Sequence, residues 1–151
     1  MQIPSTLVAE HKQLHADLAR AFEAGGETAD AARAVAQLMH PHFLKEDEYA
    51  MPPLGLLVRL ARGEGIAPDE AAEAIAKTDR LRADWDAMLA EHRQIVDALR
   101  RLREAASREG HERHAQFADK LVQHATNEEQ VLYPAAILVG DILKSRNVRA
   151  S

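Results

Sequence analysis

A twelve-residue stretch occurs twice in this chain of 151 residues, as PHFLKEDEYAMP from Pro41 to Pro52 and as QHATNEEQVLYP from Gln123 to Pro134. Each copy sets a histidine four residues before a glutamate, an acidic residue directly after it, and a proline six residues beyond. The two sets are His42, Glu46, Asp47, Pro52 and His124, Glu128, Glu129, Pro134. A shorter motif also repeats, EHKQL at Glu10–Leu14 and EHRQI at Glu91–Ile95, so the offsets are 82 and 81 residues. Two elements recurring in one order at one spacing mean two copies of a single αα-hairpin. Each helix of a hairpin carries one apolar stripe, and two hairpins bury those stripes by packing on each other.

The expected fold is all-α: one domain over 1–151, with an up-down-up-down four-helix bundle of core about 5–133. In chain order, Pro4-Ser5 opens the first helix with Ser5 as N-cap, and Leu7, His11, Leu14, Leu18 and Phe22 form its stripe. Gly25-Gly26 ends it, and Thr28 is expected to cap the second helix, whose stripe is Val35, Leu38, His42, Glu46 and Tyr49. Pro41 inside that helix predicts a kink before His42, and Pro52-Pro53 closes it. A short helical insertion follows, over Leu54 to Gly65.

Pro68-Asp69-Glu70 starts a helical pattern that runs to Arg108, about 60 Å if unbroken, so a break is expected near Thr78-Asp79. The stripe beyond it is Leu81, Trp85, Met88, His92, Ile95, Leu99 and Leu102. The fourth helix spans about His111 to Tyr133 on Phe117, Leu121, His124, Glu128 and Val131. A short C-terminal helix, Ala135 to Lys144, follows Pro134, with fraying beyond Ser145.

Six polar residues, His11, His42, Glu46, His92, His124 and Glu128, fall on these apolar stripes. Burying them is expensive unless they are paired or bind a metal. His11 and His42 both lie about 20 Å from the turn that joins their helices at 1.5 Å per residue, and His92 and His124 are placed comparably in the other hairpin. The four imidazoles therefore reach one level. There is no cysteine, which excludes thiolate sites and disulfides. Nitrogen and carboxylate donors without sulfur suit iron, manganese or zinc.

A net charge of −5 without a clustered basic face argues against nucleic acid as a partner. No basic-then-apolar leader opens the chain and no apolar run is long enough to span a bilayer, so no membrane role and a cytoplasmic location are expected. Glu-x-x-His, the spacing of ferritin-like sites, does not occur.

EHKQL, HFLKED, EHRQI and HATNEEQVLYP resemble the hemerythrin-like proteins, over about Val8 to Ala135. That resemblance implies an up-down bundle holding two iron ions bridged by an oxygen and by carboxylates. His11, His42, His92 and His124 would be terminal ligands, with Glu46 and Glu128 as bridges. It also implies a small diatomic or peroxide ligand. The oxygen-carrying members have a further histidine in an HxxxH pair on the third helix, whereas here Met88 and Val96 flank His92 at that spacing. His15, one turn past His11, and Tyr49, on the stripe of His42, are the candidate replacements.

A more open centre favours reaction with peroxide or nitric oxide over reversible oxygen carriage. The alternatives are an iron or oxygen sensor or store without turnover, and a helical interaction domain whose site is empty or holds zinc. Glu10 and Glu91 are expected to point away from the site. Asp47, Glu48 and Glu129 form an acidic edge, His40, His111 and His114 lie on the surface, and Arg100, Arg101 and Arg103 make a solvated face.

Overall fold

The computed structural model describes residues 1–150, with side chains described through Arg146. It is an all-helical bundle, and no strand occurs among the described residues. The helices are α1 Ser5–Phe22, α2 Gly26–Lys45, α3 Leu57–Ala61, α4 Pro68–Ala83, α5 Trp85–Arg108, α6 Glu112–Asn127 and α7 Tyr133–Ala150. Four of them close a ring, each touching two neighbours: α1 on α2, α2 on α5, α5 on α6, and α6 on α1. Inside it pack Leu14, Leu18, Val35, Met39, Phe43, Ile95, Leu99, Leu102, Phe117 and Leu121. These are mostly the stripe residues of the sequence reading.

The departures have physical reasons. Pro4 rather than Ser5 stands at the N-cap of α1, and no side chain caps that helix. α2 begins at Gly26, with Gly25 and Gly26 both at positive φ (71° and 59°), so Thr28 lies inside the first turn. Its backbone N–H and hydroxyl both donate to Glu109 Oε1 at 2.6 Å, and this carboxylate, reaching over from the second hairpin, takes the place of a local cap.

The long third pattern breaks at Asp84, not at Thr78-Asp79. Asp84 accepts a hydrogen bond from Tyr49 Oη at 2.9 Å, while Thr78 sits buried in the middle of α4 against α7. α7 is also longer than the expected short helix: it overruns Lys144 and continues to Ala150, and Ser151 lies outside the described residues.

α4 and α7 pack closely because Gly140 has no side chain. A Cβ built there would lie 1.9 Å from Thr78 Oγ1. Alanine normally favours a helix over glycine by about 1 kcal/mol. Here Gly140→Ala is expected to destabilise the protein by about 1–3 kcal/mol, because two backbones must separate. A urea titration gives the sign directly, and stabilisation would refute the close contact.

Both repeats carry one irregularity, in register. Directly after each of the two stripe glutamates the helix widens into a π-turn, Glu46–Ala50 and Glu128–Leu132. The Met51 N–H reaches the Glu46 carbonyl at 2.8 Å, and the Tyr133 N–H reaches the Glu128 carbonyl, each five residues back. The prolines explain the position. Pro52 and Pro134 have no N–H and would crowd the carbonyl four residues earlier, so the preceding turn opens. The carbonyl of Glu48, which Pro52 cannot serve, instead accepts from Lys77 Nζ at 2.7 Å.

Candidate metal centre

The extra residue in each π-turn changes the phase of the helix beyond it. Val131, expected on the buried stripe, is 53% exposed, and Tyr133, off the regular stripe, is fully buried. Tyr49 is buried too, but its hydroxyl goes to Asp84 and to Met88 Sδ (3.6 Å) rather than to the site. His15 is exposed and packs its ring against Phe43 at 4.6 Å. Neither candidate for the missing fifth histidine reaches the centre.

The six residues of the sequence reading do converge. All are buried, with His11 the most open at 8% and Glu46 at 0%. They form two groups that share Glu128. His42, Glu46, His92 and Glu128 place one donor atom each within 4.8 Å of one another, as do His11, His124 and Glu128. His42 Nε2 lies 3.1 Å from Glu46 Oε1, and His92 Nε2 lies 3.3 Å from Glu128 Oε2. His11 Nε2 is 3.8 Å from Glu46 Oε2 and 4.0 Å from Glu128 Oε1, while His124 Nε2 abuts Glu128 Oε1.

Three of the imidazoles are held from behind by carboxylates. Glu91 Oε2 meets His42 Nδ1 at 2.7 Å, Glu129 Oε1 meets His92 Nδ1 at 2.9 Å, and Glu10 Oε1 meets His124 Nδ1 at 3.0 Å. Glu10 and Glu91 therefore turn toward the neighbouring helix, not away from the site. The EH pairs of the sequence are explained by this: each glutamate orients a histidine on the adjacent rod while the next residue enters the centre. A carboxylate on Nδ1 fixes the proton there, leaving Nε2 with a free lone pair toward the middle. Glu91 is itself tied to Lys45 Nζ. Asp47 and Glu48 are exposed, and Glu48 pairs with Arg80. Arg100, Arg101 and Arg103 are exposed as expected, whereas His111 and His114 are half-buried with their rings 5.9 Å apart.

The charge state records how tightly these groups are packed. Burial raises the Glu46 carboxyl to about 8, helped by the Glu128 charge beside it. Burial also pushes Glu128 up, but hydrogen bonds from Glu46, His124 and His92 outweigh it and hold that carboxyl well below its ordinary range. The two acids are therefore driven apart, Glu46 toward its protonated form and Glu128 toward its charged one. For His42 and His124 burial works against the imidazolium, yet Glu46 and Glu91 raise the first to about 8, and Glu128 and Glu10 raise the second to about 9. His11 goes the other way, because burial is not offset by its more distant carboxylates.

This arrangement fits a cation better than it fits itself. His11 Nε2 and Glu46 Oε2 are buried without a hydrogen-bond partner among the described residues, and His124 Nε2 meets only Glu128 Oε1. All three belong to the cluster, and an orphaned buried polar atom costs about 1–3 kcal/mol. Nitrogen and oxygen donors that converge on one space are what a bound metal satisfies once it displaces their protons.

Regular helical spacing does not bring Tyr133 to the site, but the structure does. Its phenol oxygen lies 3.2 Å from both His42 Nε2 and His92 Nε2, 2.9 Å from Glu128 Oε2, and in contact with Glu46 Oε1. Burial and the two carboxylates push its pKa far up, which keeps it a neutral phenol in the metal-free chain. The available signal was the proline: a tyrosine five residues past Glu128 comes onto the stripe once Pro134 forces an i→i+5 turn.

A helical bundle with paired imidazoles and shared carboxylates inside is a metal-binding protein of the all-α class. The family model described as the hemerythrin HHE cation binding domain matches residues 2–136, and the chain belongs to that family. No curated protein and no solved structure matches it. No helix among the described residues is long and apolar enough to cross a membrane.

Proposed function

We propose that this chain is a non-haem di-iron protein that binds or reacts with dioxygen, peroxide or nitric oxide within the bundle. The observation that carries the reading is the sharing of Glu128 by two histidine pairs whose inward nitrogens and carboxylate oxygens converge, His11 Nε2 and Glu46 Oε2 among them without a partner. His11 and His124 would hold one ion and His42 and His92 the other, with Glu46 and Glu128 between them. Two iron ions would supply redox equivalents and Lewis acidity there, which helices of this composition lack.

The protein side of the chemistry is legible in the residues. Glu10, Glu91 and Glu129 set three imidazoles in the tautomer that presents Nε2 inward. Glu46 and Glu128 bring negative charge into an interior that could not hold two bare cations. Met88, Leu81 and Met51, all fully buried, pack with Tyr133 on one side, and Phe43 lies 4.9 Å from His11 on the other. These apolar walls keep bulk water from the cluster on those two sides.

The test is metal content, followed by turnover. Protein purified without added metal and loaded anaerobically with iron(II) is expected to hold about two irons per chain. Added hydrogen peroxide is expected to evolve oxygen catalytically. Two irons without turnover would move the reading to a sensor or store. A chain that rejects iron but takes up zinc would leave a helical domain with a structural ion.

A further inference from the structure

We propose that Tyr133 is a fifth side-chain ligand to the metal ion held by His42, His92, Glu46 and Glu128, so that the exchangeable positions lie at the ion held by His11 and His124. The inference rests on the di-iron reading and goes beyond it, by making the two halves of a repeated site chemically unequal.

The phenol oxygen has more neighbours than a hydroxyl can serve. It has one proton to donate, yet it stands among two imidazole nitrogens and two carboxylate oxygens, all 3.2 Å away or nearer. Those four groups are the ones whose donor atoms come within 4.8 Å of one another, so the phenol oxygen lies among the donors that would grip the ion. A cation there meets the oxygen within a short shift. The ring has nowhere else to go, because it is fully buried, stacked on His92 at 5.5 Å and 22°, and braced edge-on by Trp85 at 6.3 Å. On binding, the O–H bond breaks, the proton leaves to solvent, and the oxygen lone pair forms the bond to the ion, with no change in oxidation state.

The other half has no counterpart. In the first repeat the residue matching Tyr133, 82 positions earlier and likewise just before a proline, is Met51. Met51 is buried in the apolar cluster with Leu54 and Leu81 and has no oxygen to offer. Five protein groups would therefore surround one ion and four the other. An incoming ligand meets the less filled ion, next to His11, the most accessible of the four histidines.

The chain has only two tyrosines, which makes the test direct. The full-length protein is loaded with iron, oxidised to iron(III), and read by visible absorption and resonance Raman scattering. The expected result is a phenolate-to-iron charge-transfer band with enhanced tyrosine ring modes, kept in Tyr49→Phe and lost in Tyr133→Phe. The Tyr133→Phe protein should keep its iron and bind about twice as much azide per iron pair. Because Tyr49→Phe leaves Tyr133 as the sole source of such modes, that variant decides the matter even if Tyr133→Phe does not fold. Two bound irons without tyrosinate modes would overturn the proposal and leave the di-iron reading intact. A wild-type chain that binds no iron would overturn both.

Discussion

Glu128→Ala is expected to abolish binding of both metal ions, not one. Glu128 is the side chain common to the two clusters, with Oε1 facing His11 and His124 and Oε2 facing His92 and Tyr133. Losing it takes a donor from each position and leaves charged imidazoles without their main partner. His124 owes its raised pKa chiefly to Glu128, against the burial that opposes it. Breaking a buried ion pair by deleting one member costs about 3–5 kcal/mol, so the metal-free variant should also be substantially less stable. Metal analysis gives the first result and a denaturant titration the second. A variant that still holds two ions would show that the clusters are not the metal centre. Glu129→Ala is the matched control, since it removes only the support behind His92 Nδ1 and should retain metal.

The second large effect is that stabilisation by metal grows with pH. His42 and His124 have folded pKa values raised to about 8 and about 9 from 6.5. Their contribution to the metal-free fold is complete below the unfolded value and is lost as pH rises through the folded ones. Glu46, raised to about 8 from 4.5, behaves in the same sense, because the folded chain prefers it protonated. The two histidines therefore weaken the metal-free protein between pH 6.5 and 9, and Glu46 between pH 4.5 and 8, with His42 alone worth about 2 kcal/mol. Glu128, held low, loses its contribution only on the acid side.

The metal needs the same groups without protons, so over this window the ion replaces protons at the cost of less and less competition. The gap in melting temperature between loaded and metal-free protein should widen from pH 6.5 to 9. Calorimetric titrations in two buffers of different ionisation enthalpy should show protons released near pH 7. A gap that narrowed with rising pH would contradict these protonation states of the site.

The repeat alone was enough to indicate helical hairpins, the level at which four histidines meet, and the glutamates that accompany them. These are local consequences of spacing: residues three and four apart share a helix face, and a face bearing imidazoles in an apolar stripe has to lead inward. The helix break at Asp84 in place of Thr78 was not legible. Thr78 resembles a cap in sequence, and only the glycine of a helix distant in the chain shows why it is needed within one.

The same limit applied to Glu10 and Glu91. Being adjacent to those histidines on their own helices, they were expected to point away, but each turns to a site histidine of the next helix. Tyr133 marks the division most clearly. A regular helix carries it off the stripe, and one π-turn carries it into the centre. Periodicity is set by the residues of a single rod and can be read from their order. Which oxygen completes a site is set by the phase between rods, and one extra residue in a turn shifts that phase for everything that follows.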